Sequence, residues 1–129
     1  MVYYRATVAE AFEHLEKGEY PFNVIGNFLD DFYCASEADR NRMVASPLPT
    51  SAKDPDNFKW LVYFTAAVDL LCWRNQIPKP DWVLNPIYHL KDPWFMFPGW
   101  KLRAWLLTST PVPFKMRNIF SGENVLTRV

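Results

Sequence analysis

Fourteen residues from Trp60 to Trp73 include only two polar side chains outside the aromatics, Thr65 and Asp69. That run is too short to cross a bilayer, which takes about 20 residues, and a carboxylate at that depth would be costly. It is also too apolar for a helix with one wet face. At helical spacing Phe58, Leu61, Val62, Thr65, Val68, Asp69 and Cys72 make one broad stripe, and Trp60, Phe64 and Leu71 make the opposite side apolar too. A helix apolar nearly all round must be enclosed by other elements. Asp54-Pro55-Asp56 marks its start: Asp54 can cap, Pro55 suits the first helical position and Asp56 complements the helix dipole. Its end falls near Asn75, before Ile77-Pro78-Lys79-Pro80. The expected fold is all-α: a small orthogonal helical bundle around a central buried helix at about 55–75, wrapped by an irregular C-terminal half rich in Pro and Trp.

Elements around that helix follow from local signals. Thr7-Val8-Ala9-Glu10 is a capping box, after which Val8, Ala11, Phe12 and Leu15 share one face, and Gly18 ends the helix. Asn23 is the expected cap of a second helix, with Val24, Ile25, Phe28, Leu29 and Phe32 inward and Gly26 either a cost or a point of close approach. These two helices should form an antiparallel pair against the central one. Ser36 opens a short polar helix reaching Arg42 or Met43. Residues 46–54 form the clearest loop, too short for a domain linker, so residues 1–129 read as a single helical domain. Seven prolines from Pro78 to Pro113 then punctuate the chain. Short helices are expected near 80–85 and 86–91, and a firmer one from Gly99 to Ser109 with Leu102, Trp105 and Leu106 inward. Further turns are expected at 111–116 and 121–127. No strand-like alternation and no repeat is visible.

The formal net charge is zero, which gives no sign of nucleic acid or membrane as a partner. The distribution is uneven: residues 1–39 balance to −6 and residues 79–129 to +4. Two solvated faces of one monomer account for this most simply, and acid-to-base self-association is the other reading. Cys34 and Cys72 are the only cysteines. Each sits in or beside an apolar run, as buried free thiols do. No apolar leader opens the chain, so a reducing, cytoplasmic setting is expected.

No pattern calls for a metal or a cofactor. His14 and His89 stand alone, the cysteines are far apart, and no phosphate-binding glycine loop exists. Glu10, Glu13, Asp30 and Asp31 could ligate an ion, but nothing in their spacing requires it. His14 reads as solvated and His89 as a satisfied, half-buried histidine. Asp69 is the chemically informative residue, since a carboxylate among apolar neighbours is paired, hydrogen-bonded or shifted in pKa. It reads first as a buried polar anchor to Arg103 or Arg117, and second as a general base. Trp94, Phe95, Phe97 and Trp100, set between prolines, are either a core plug or an interaction surface. Lys101, Arg103, Lys115, Arg117 and Arg128, with Phe114 and Phe120 interleaved, could contact phosphates, though a solvated face is the default.

Asn27-Phe28-Leu29-Asp30-Asp31-Phe32-Tyr33, Pro80-Asp81-Trp82, Asp92-Pro93-Trp94-Phe95, Arg117-Asn118-Ile119-Phe120 and Val125-Leu126-Thr127-Arg128-Val129 together resemble a family of uncharacterised bacterial helical proteins. In some members a similar segment follows a helix-turn-helix head, and some look like partners of nucleotidyltransferase-type genes in toxin–antitoxin-like pairs. The resemblance runs from about residue 24 to the end, and its motifs carry no catalytic residue. No DNA-binding head is present in this sequence, which argues against a regulator. The expectation is thus a protein-interaction module, antitoxin-like on the resemblance, with another protein or a second copy as partner. A small enzyme using Asp69, or a nucleic-acid binder using the basic C-terminal half, are the alternatives.

Overall fold

The computed structural model describes residues 4–97, 99–123 and 125–126. At its centre α4 (Phe58–Asn75) buries every side chain from Leu61 to Cys72. The helix is entered through a 3-10 turn at Pro55–Asn57, whose first free amide, that of Asp56, donates to the Asp54 carboxylate at 3.0 Å. It ends where Gln76 turns left-handed at φ 56°, so that its amide and that of Ile77 donate back to the last-turn carbonyls.

Helix α1 (Val8–Glu16) carries the full capping box between Thr7 and Glu10 and buries Val8, Ala11, Phe12 and Leu15. Phe12 meets Phe64 of α4 edge-on, with ring centres 5.8 Å apart. Helix α2 spans Pro21–Cys34, starting two residues before the expected Asn23 cap because Pro21 itself takes the first helical position. Helix α3 (Glu37–Ala45) is capped by Ser36 and turns Met43 and Val44 into the core. Helices α1, α2 and α3 pack on one another, and α1 also packs on α4.

The C-terminal half wraps α4, and long-range hydrogen bonds hold it there. Trp82 donates its indole N–H to the Val44 carbonyl at 2.9 Å, and the Tyr88 hydroxyl donates to the Leu48 carbonyl at 2.6 Å. Two short strands, β1 (Trp94–Phe95) and β2 (Ile119–Phe120), pair in parallel, with Trp94 opposite Ile119. Helices α5 (Arg103–Ser109) and α6 (Val112–Lys115) lie between them in sequence, and α6 packs on α4.

The all-α architecture is as expected, with the tiny sheet an addition. Other local expectations need correction. Residues 80–85 form only a 3-10 turn at Asp81–Leu84, and no helix forms at 86–91. There the Asn85 side chain accepts from the Ile87 amide, closing a turn instead. Residues 99–109 split into a 3-10 turn at Trp100–Leu102 and α5, in which only Leu106 is buried; Leu102 and Trp105 face outward. The turns expected at 121–127 fall partly on residues outside the described ones.

Candidate functional site

Asp69 lies on the face of α4 that meets the C-terminal wrap, and both its carboxylate oxygens are engaged. Oδ2 accepts from Arg117 at 2.9 Å and Oδ1 pairs with Lys79 at 2.7 Å. Arg117 is itself buried, and two more of its N–H groups donate to the carbonyls of Pro113 at 2.7 Å and Val83 at 3.0 Å. One guanidinium thus ties the centre of α4 to α6 and to the 81–84 turn. Arg103, the other partner expected for Asp69, lies elsewhere. It is exposed, and its guanidinium stacks over the rings of Phe95 at 4.8 Å and Trp100 at 5.7 Å. Both oxygens of Asp69 thus pair with a cation, and the residue is only 4% exposed.

Of the 94–100 aromatics, Trp94 and Phe95 are half-buried, and the other two are exposed. Trp94 meets Trp60 edge-on at 5.0 Å, and Phe95 stacks on Phe120 at 4.9 Å. Phe97 is 51% exposed and Trp100 81% exposed. The segment is therefore half plug and half surface. Beyond it Leu102, Trp105 and Leu107 are also exposed, so 97–107 presents a run of large apolar side chains to solvent. It does so because α5 is perched. Leu106 enters the interior, and the Thr110 hydroxyl, donating to the Leu106 carbonyl at 2.6 Å, accepts from the Gly122 amide at 2.9 Å. The Trp105 ring lies flush on Gly122, where a Cβ would stand 2.8 Å from it. Gly122 has φ 86°, a conformation glycine adopts freely. Lys101 and Arg103 are the charges on this arm, and no Asp or Glu occurs from 99 to 116.

Behind the arm an apolar groove of about 300 Å³ opens between α2 and the C-terminal wrap. Ile25, Gly26 and Leu29 form its α2 wall, Tyr63 of α4 lies on its lining, and Met96, Phe97 and Trp105 contribute from the arm side. None of its lining residues is charged. Tyr63 is buried, and that burial pushes its phenol well above the ordinary range, so the hydroxyl stays protonated.

The remaining sequence candidates are scattered. His14 is exposed and pairs with Glu19 at 2.6 Å, and His89 is exposed, not half-buried. Cys34 is exposed where a buried thiol was expected, while Cys72 is buried; both are free. Glu10, Glu13, Asp30 and Asp31 do not gather into a set of three carboxylates among the described residues. The basic set is broken up as well. Arg117 is spent on Asp69, Phe114 and Phe120 are buried, and Arg128 lies outside the described residues. Tyr63 and Gly122 were not singled out from sequence. A tyrosine in an apolar run reads as core, and the partner of Gly122 is Trp105, seventeen residues back. Among the described residues no helix is long and apolar enough to cross a membrane. No protein-family model, no curated protein and no solved structure matches the chain.

Proposed function

We propose that this chain is a protein-interaction module that docks a partner through the arm at 97–107, and that the partner presents apolar side chains flanked by acidic ones. The observation that carries the reading is Trp100, a tryptophan 81% exposed at the head of a helix that buries one residue. Contiguous exposed apolar side chains mark interaction sites on soluble domains, and Trp and Arg are the residues that dominate binding energy there. The cationic groups of Lys101 and Arg103, with no acid on the arm to offset them, favour an acidic partner. The neutralising half of a toxin–antitoxin-like pair is the particular form suggested by the resemblance in sequence. Two free thiols fit a reducing cytoplasm. The pairing of both Asp69 oxygens supports a structural role for that residue over a base.

A second reading has its own support, because Trp100 and Trp105 beside Lys101 and Arg103 could also stack and neutralise a single nucleic-acid strand. Affinity capture of the tagged chain from its source cells, at low and high salt, separates these readings. A stoichiometric protein that persists at high salt is the expected result. Captured nucleic acid lost steeply with salt would overturn it in favour of the second reading.

A further inference from the structure

Buried hydroxyls in this protein find partners. Tyr88 donates to Leu48 at 2.6 Å, Thr65 to Leu61 at 3.0 Å and Thr110 to Leu106 at 2.6 Å. Among the described residues Tyr63 is the exception. Its residue exposure is 3%, as low as that of Tyr88, yet its hydroxyl makes no hydrogen bond among the described residues. A hydroxyl without a protein partner keeps its hydrogen-bonding capacity for water or a ligand. The Tyr63 oxygen is not sealed from solvent. Tyr63 lines the groove.

We propose that this groove binds a small, neutral, mostly apolar molecule bearing one hydrogen-bond acceptor, which the Tyr63 hydroxyl engages. The volume, about 300 Å³, sits at the lower end of small-molecule sites, roughly 300 to 1,000 Å³. Apart from Ser121, whose hydroxyl donates to the Gly122 carbonyl, and Gly26, its walls are aliphatic and aromatic, which selects an apolar body. A charged ligand would lose its hydration with no counter-charge on the walls to replace it. The phenol stays protonated in its buried setting and enters as a donor, so the complementary group is a carbonyl or ether oxygen. Gly26 contributes no side chain to the α2 wall, at a cost in helix propensity. The groove shares Phe97 and Trp105 with the docking arm, but not Trp100, on which the docking proposal turns.

Acetophenone and cumene test this directly, because they share an outline and differ in the carbonyl. The full-length chain is titrated with each, and the methyl resonances of Ile25, Leu29 and Val125 are followed by NMR. Both probes should shift these methyls. Tyr63→Phe should weaken acetophenone about fivefold, the value of one hydrogen bond, and change cumene less than about twofold. Tyr63→Phe breaks no internal hydrogen bond, so its fold should be retained, and its own spectrum checks this. Gly26→Leu should abolish binding of both probes by filling the groove, while Trp100→Ala should leave both unchanged. Absence of methyl shifts with either probe would overturn the site. Equal binding of acetophenone by the wild-type chain and Tyr63→Phe would overturn the role of the hydroxyl.

Discussion

Asp69 is where a single residue couples most strongly to the whole. With Oδ2 on buried Arg117 and Oδ1 on the more exposed Lys79, removing either cation has a different cost. Arg117→Met leaves a buried carboxylate short of its main partner and should lower the unfolding free energy by about 3–5 kcal/mol in urea titration. Lys79→Met should cost about 1 kcal/mol or less, as solvent can replace the ammonium there. Cys72 is likewise perturbed by its surroundings. Burial, reinforced by the Asp69 charge, pushes the Cys72 thiol up to about 11 from 9.0. The folded chain then holds that proton more tightly than the unfolded one. Its contribution is complete below about pH 9 and lost as pH rises toward about 11. A thiol reagent at neutral pH should therefore modify Cys34, which is exposed, and reach Cys72 only on unfolding.

Among the elements, those with local signals were legible in sequence. The Thr7–Glu10 box, the Ser36 cap and the apolar run of α4 each act within a few residues, and each produced the helix its pattern indicates. What was not legible depends on distant partners. The pairing of β1 with β2 joins segments 25 residues apart through two residues a strand, too short to leave an alternation. Periodicity could show that Leu102, Trp105 and Leu106 share an apolar side of residues 99–109, but not that only Leu106 is covered. Coverage is decided by the Gly122 turn, against which the Trp105 ring is laid. Gly122→Ala tests that turn. The left-handed backbone alone costs about 1–2 kcal/mol, and the new methyl group displaces Trp105. The variant should lose at least that much stability and show altered fluorescence of the arm.

For the whole molecule, the acidic first third and the basic last third set the electrostatic frame, and the arm concentrates exposed apolar surface at the basic end. The charge asymmetry was readable from the sequence. That Arg117 is withdrawn from the basic set, leaving Lys101 and Arg103 beside the exposed tryptophans, was not. Docking through this arm, proposed above, depends on Trp100. The decisive measurement compares capture by the wild-type chain with capture by Trp100→Ala, at matched loading and with the mass of each eluate determined. Trp100 is so exposed that its loss should leave stability within about 0.5 kcal/mol. The expected result is one stoichiometric protein with the wild-type chain and an affinity about thirtyfold lower with Trp100→Ala, as for an interface hot spot. A chain that elutes alone, or a partner held equally well by both proteins, would contradict it.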